Sequence, residues 1–200
     1  MSKLRWVVLV SALLALAGSA RAQQMAFAFD VSGVSAPAAN SNGPSIGGGT
    51  YTGFSANFLI RHHVGVAFEM NWRASQDMYY QQFPNASVPY RPMFWDFDAI
   101  YAPKLAHRVT AEVVAGIGSE DVHVYGQTTC YYTCTNYTAV NEFMGVFGGG
   151  LRFYVKRHLF LRPEARLYLV NNNTSNSNIT FSSNIAARYG IALGYAFGEE

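Results

Sequence analysis

Eight stretches of this sequence alternate apolar and polar residues with a period of two, and the large aromatic side chains sit on the apolar face. In the clearest stretch, Val64, Val66, Phe68, Met70 and Trp72 share one face, with Gly65, Ala67, Glu69, Asn71 and Arg73 on the other. Period two belongs to a β-strand, whose successive side chains point to opposite sides of the sheet. The other stretches lie near residues 25–32, 53–60, 95–101, 109–118, 143–154, 159–169 and 185–197. Their polar faces are small and rich in arginine: Arg162, Glu164 and Arg166 alternate with Leu161, Ala165 and Leu167.

A water-soluble sandwich would cover its outside with Lys and Glu. Only 13% of this chain is charged, against a typical figure of about 25%, and it holds three lysines. That composition excludes intrinsic disorder and a nucleic-acid-binding surface. A large apolar face paired with a small, charged one fits lipid outside and a filled lumen inside. Lipid satisfies no backbone group, so such a sheet must close on itself. The expected fold is all-β, an eight-stranded antiparallel up-and-down transmembrane β-barrel. A soluble lipocalin-like barrel, the rival, would turn the arginine-rich face to water.

Lys3 and Arg5 precede an apolar run from Trp6 to Ala17, which closes on Ala20-Arg21-Ala22. This is the pattern of a secretory signal peptide, too short for the ~20 residues of a spanning helix. Residues 1–22 are expected to be cleaved, leaving residues 23–200 as one barrel domain. The mature chain then carries 11 basic and 12 acidic residues, so the basic balance of the whole chain says nothing about partners.

The connections alternate in length. Residues 35–49, 74–91, 119–141 and 171–183 read as long polar links, and 61–63, 103–108 and 156–158 as short ones. Long outward loops and short periplasmic turns place both termini on the periplasmic side of a bacterial outer membrane. Trp72, Trp95 and Phe143 then mark the outer interface, and Phe58, Tyr101, Phe153, Tyr195 and Phe197 the inner one.

The chain ends on Arg188-Tyr189-Gly190-Ile191-Ala192-Leu193-Gly194-Tyr195-Ala196-Phe197, followed by Gly198-Glu199-Glu200. With the eight strands and the leader, this resembles the small eight-stranded outer-membrane barrels of the OmpA/OmpX/opacity-protein type. The resemblance implies that Gly190, Leu193, Tyr195 and Phe197 belong to an assembly signal read by the barrel assembly machinery. It also implies a role in surface adhesion, interaction or envelope integrity, carried by four outward loops and an unidentified extracellular ligand. Outer-membrane lipid is the other expected partner.

Eight strands leave room inside for side chains rather than an aqueous channel. The inward set comprises Asp30, Glu69, Asp96, Asp98, Glu112 and Glu164 with Arg73, Arg152, Arg162, Arg166 and Arg188. Isolated charges there are costly, so these residues are expected to pair into a network that fills the lumen without a through-pore. A proton or ion path through them, and hence a small transport or gating barrel, is the alternative. Pro163 falls mid-strand, cannot donate to the ladder, and predicts a bulge or a missing bond. Cys130 and Cys134 are expected to form a disulfide in the longest loop. Tyr79, Tyr80, Phe83, Tyr131, Tyr132 and Tyr137 are candidate contact aromatics of the loops. His62, His63, His107 and His158 read as solvated turn residues, and no metal or cofactor is expected. A lipid-modifying enzyme would need a Ser-His pair near the outer leaflet; only His123 lies outward, with no serine placed beside it, so no enzyme is expected.

Overall fold

The computed structural model describes residues 24–38, 45–46, 48–61, 63–81, 86–130, 134–171 and 183–198. The expected leader, residues 1–22, lies outside them. Ten strands follow in order: β1 (Gln24–Ser35), β2 (Gly49–Arg61), β3 (Val64–Arg73), β4 (Asp77–Gln81), β5 (Ala86–Tyr101), β6 (Lys104–Ala106), β7 (Val109–Cys130), β8 (Cys134–Tyr154), β9 (Leu159–Val170) and β10 (Ile185–Phe197). Every pairing is antiparallel. β1 pairs with β10, and β5 pairs with β7, so eight strands close a ring. β4 and β6 stand outside it, as a hairpin arm on β5 and a short addition to β7.

The alternation seen in the sequence is the inside and outside of this ring. Phe29, Phe97, Ile117, Phe143, Phe147 and Tyr189 are each more than half exposed on the outer wall. Inward neighbours such as Asp30, Asp96, Asp98 and Arg188 are buried. The exposed wall is what lipid covers, and a closed ladder leaves no edge to it.

Two long connections expected from the sequence are instead hairpins. Residues 119–130 and 134–141 continue the β7–β8 ladder as far as Cys130↔Cys134, and residues 77–81 pair with residues 86–90 as the β4–β5 arm. At about 3.4 Å per residue, the 22 residues of β7 extend roughly 75 Å. A membrane needs only about half that strand, so β7 and β8 carry the sheet into the extracellular space. Cys130 and Cys134 are register partners in that ladder; their side chains, and with them the expected disulfide, lie outside the described residues.

Pro163 interrupts the ladder without shifting it. β8 and β9 keep one register from Gly150↔Glu164 to Phe153↔Leu161, while the pairs at Pro163 and Arg162 between them are missing. On its other side Pro163 still pairs with Ile191 of β10. The strand therefore loses local pairing and forms no bulge.

Candidate functional site

Three layers fill the barrel. The middle layer is ionic, and its hub is the Arg188 guanidinium. Nη1 donates to Asp30 at 2.9 Å and to the Asn71 amide oxygen at 3.0 Å, and Nη2 to Glu164 at 2.7 Å and to Glu69. Arg166 reaches Asp96 at 2.9 Å, Asp98 at 2.6 Å and Glu69 at 2.6 Å. Arg162 bridges Glu164 at 2.7 Å and Glu112 at 3.2 Å, and donates to the Ser55 hydroxyl at 2.9 Å. Arg152 pairs with Glu112 and lies 4.9 Å from the centre of the Phe160 ring. Charges this deep persist because the forks of Arg162, Arg166 and Arg188 each meet several acceptors at once.

Ten of the eleven residues expected in this network meet there. Arg73 does not. It lies toward the outer end of β3 and pairs with Asp77 of β4, four residues on. Alternation places Arg73 on the inner face but carries no information about depth along the lumen. Six carboxylates (Asp30, Glu69, Asp96, Asp98, Glu112, Glu164) thus share four guanidinia, rather than the near-neutral six against five. Among the described residues, one oxygen each of Asp30, Asp96 and Asp98 has no hydrogen-bond partner.

The other two layers are apolar. On the periplasmic side Tyr154 and Phe160 pack with Ala26, Ala28, Ala192 and Ala196, and Leu59, Ile100 and Val114 form a second cluster. On the outer side Tyr51, Phe94, Tyr168, Met144, Val122 and Ile46 make a larger cluster. Phe94 and Tyr168 stack at 4.9 Å with planes 4° apart. Tyr168 also accepts from Arg188 Nε at 3.0 Å, which ties this layer to the ionic one. Ile46 belongs to a loop rather than a strand. Its N–H donates to the Ser183 hydroxyl, and its carbonyl accepts from the Tyr90 hydroxyl at 2.9 Å. A residual cavity of about 10 Å³ beside Gly149, Gly150, Glu112 and Glu164 has room for about one water.

The outer cluster was not legible from the sequence, because the wall reverses its polarity above the membrane. At the Trp95 level the outward residue still faces lipid, and its indole N–H donates to Asp121 at 3.0 Å. Farther out, His123 and Tyr137 stack at 4.5 Å on the outside, whereas Val122, Val124 and Val140 turn inward and are buried. Of the expected loop aromatics, Tyr137 is exposed; the side chains of Tyr79, Tyr80, Phe83, Tyr131 and Tyr132 lie outside the described residues.

The Arg73 guanidinium beside Asp77 holds its carboxyl below the usual carboxylate range. A carboxyl with a depressed folded-state pKa contributes stability above its unfolded pKa, and loses it as pH falls through the folded value. Asp77→Asn is therefore expected to lower the urea midpoint slightly at pH 7 and not at pH 2. The effect is small because Asp77 is partly exposed. Urea titration at the two pH values measures it.

No family model and no curated protein matches the sequence. Solved structures do match it across most of its length. Ail, the attachment invasion locus protein of Yersinia pestis, solved with the heparin analogue sucrose octasulfate, is 7% identical over 88% of this chain and 99% of its own, with a TM-score of 0.56. Neisserial surface protein A is 12% identical over 88% and 97%, with a TM-score of 0.60. The chain has the fold of the small eight-stranded outer-membrane β-barrels. A major outer membrane protein of Thermus thermophilus matches as well, at 11% identity over 86% and 99%, with a TM-score of 0.53.

In such a barrel the exposed wall is the lipid surface. The residues expected to form the assembly signal split between the faces of β10. Leu193, Tyr195 and Phe197 are on that wall, while Gly190 faces inward, where an added Cβ would lie 2.5 Å from the Ser32 side chain. At the periplasmic turns, His63 meets Tyr101 edge-on at 6.3 Å and His158 lies 5.4 Å from Tyr195. Among the described residues, no group of three or more His, Cys, Asp or Glu is placed to hold a metal.

Proposed function

We propose that this outer-membrane barrel is a closed, non-catalytic scaffold that works through its extracellular hairpins. The observation that carries the reading is the ionic layer held between two apolar layers, with Ile46 drawn into the outer one. A barrel filled this way offers no route for solute, so its outward strands are its working surface. Strands β7 and β8 run on past Trp95 and Phe143 in a single hairpin, presenting His123, Tyr125 and Tyr137 to the outside. Adhesion, contact with other surfaces and support of the envelope all use such a surface.

Ail's sulfated ligand does not transfer simply. Among the described residues beyond Trp72 and Trp95, Arg91 is the one outward-facing arginine. A neutral, aromatic face points instead to stacking and hydrogen bonding.

The test replaces residues 127–133 with a two-residue Asn-Gly turn. The expected result is a heat-modifiable barrel at normal surface level whose cells lose adherence or envelope resistance to detergent. Unchanged adherence and resistance, together with slower solute uptake, would overturn the reading in favour of transport.

A further inference from the structure

The charge outside the ionic layer is divided unevenly between the two ends of the barrel. The short turns carry Arg61, Lys104, Arg108, Lys156 and Arg157, and residues 61–63, 103–108 and 155–158 contain no Asp or Glu. Both lysines beyond the expected leader belong to this set. The opposite end holds Asp77, Glu120, Asp121 and Glu142 against Arg73 and Arg91. Glu199 and Glu200, which follow β10 in sequence, are outnumbered by the bases of the turns.

Hydrogen bonds join these turns into one rim. The Ala102 N–H donates to the His63 carbonyl at 2.6 Å, the Tyr154 N–H to the Arg108 carbonyl at 2.9 Å, and the Ala196 N–H to the His158 carbonyl at 2.8 Å. Lys104, Arg108, Lys156 and Arg157 are all exposed. Their two turns are neighbours, because β7 and β8 stay paired down to Val109↔Phe153. The four cations therefore share one arc of the rim.

Apolar side chains are mixed with the bases. Leu105 is 63% exposed and Val155 53%, although neither belongs to the eight-stranded wall. Lys104 follows Tyr101 by three residues, and Lys156 follows Phe153 by three. At about 3.4 Å per residue, each base lies within roughly 10 Å of an aromatic of the inner interface. Long basic side chains at that level rest their stems on apolar surface and hold the charge among the headgroups. Peptidoglycan is also acidic and would meet the bases, but it gives Leu105 and Val155 nothing apolar to enter.

We propose that this rim binds anionic phospholipid, of the phosphatidylglycerol class, in the periplasmic leaflet. Lys104, Arg108, Lys156 and Arg157 meet the phosphates, and Leu105 and Val155 enter the acyl boundary beneath them. Grouped bases beside an anionic leaflet gain from its surface potential, and lose that gain as salt screens it. The barrel thereby gathers charged lipid around one arc of its inner rim.

The experiment refolds the full barrel in phosphatidylcholine vesicles with a trace of spin-labelled phosphatidylglycerol or spin-labelled phosphatidylcholine. The motionally restricted fraction of each label gives its relative affinity for the barrel. Wild type is expected to prefer phosphatidylglycerol severalfold, with the preference vanishing as sodium chloride rises. The combined variant Lys104→Gln, Arg108→Gln, Lys156→Gln, Arg157→Gln is expected to lose it at low salt and still give the folded band on unboiled gels. Arg91→Gln, at the other end, is expected to keep it. Equal restriction of the two labels by wild type overturns the proposal, as does a preference that survives the four substitutions or is lost in Arg91→Gln. Inorganic phosphate is expected to displace no more label than chloride of the same ionic strength. Full displacement by phosphate would assign the rim to the free anion instead. Binding of wild type to purified peptidoglycan, lost in the combined variant and without any lipid preference, would assign it to the cell wall.

Discussion

Arg188→Leu is expected to destabilise the folded barrel by about 3–5 kcal/mol, the cost of breaking a buried charge network from one side. The guanidinium holds Asp30, Glu69 and Glu164 together with Asn71 and Tyr168. Glu69 and Glu164 keep Arg166 and Arg162, but among the described residues Asp30 has no other ion-pair partner and is left as an uncompensated buried charge. The layer already holds two more carboxylates than guanidinia, and losing an arginine widens that excess. The opposite substitution is therefore expected to behave differently. Asp96→Asn keeps the shape, removes one surplus charge and is expected to leave stability unchanged or improved. Urea titration in lipid vesicles, read as the folded band on unboiled gels, separates the two variants. Equal losses in both would contradict an acid-rich network, and no loss in Arg188→Leu would contradict a network that matters.

Gly118→Val is expected to cost about 1–3 kcal/mol through overpacking alone, with added loss from moving Asp96. A Cβ at Gly118 would overlap the Trp95 carbonyl oxygen and lie 2.8 Å from the Asp96 Cα. Both are backbone atoms of β5 and cannot rotate away. The strands would part at the row that aims Asp96 at Arg166. Gly145→Val on the neighbouring strand is the control, since a Cβ there meets nothing within 4 Å. The same urea titration should show a lowered midpoint for the first and wild-type behaviour for the second. An unchanged Gly118→Val would mean that the β5–β7 spacing is softer than the fold implies.

The alternation of β3 and β9 made the wall legible from sequence, because lipid outside and charge inside leave opposite residue types on opposite faces. Arg162, Glu164, Arg166 and Tyr168 could be placed inside from that pattern alone. Depth could not be read in the same way. Arg73 shares a face with Glu69 and Asn71, yet it belongs to the outer rim because β3 carries it past the ionic layer. The outer hairpin was hidden for a different reason. Above the membrane water replaces lipid, so Val122 and Val124 turn in while Asp121 and His123 turn out, and the pattern reverses phase. A phase reversal within one strand reads, in sequence, as the end of the strand. Glu120 fell within the stretch read as a loop and Glu142 at its edge, so neither was counted among the interior carboxylates. Pro163 was legible as a fault in the ladder; the unshifted register of β8 and β9 around it was not.

The central claim is that the lumen is closed, and conductance across a planar lipid bilayer tests it most directly. Purified barrel inserted in one orientation at high salt is expected to give no unitary current steps at any voltage the bilayer tolerates. Arg188→Leu, where it still folds, is expected to give small, irregular openings as the ionic layer loosens. Regular unitary steps from the wild-type barrel would contradict the account, because they require a continuous path through the ionic layer and the apolar layers on either side of it.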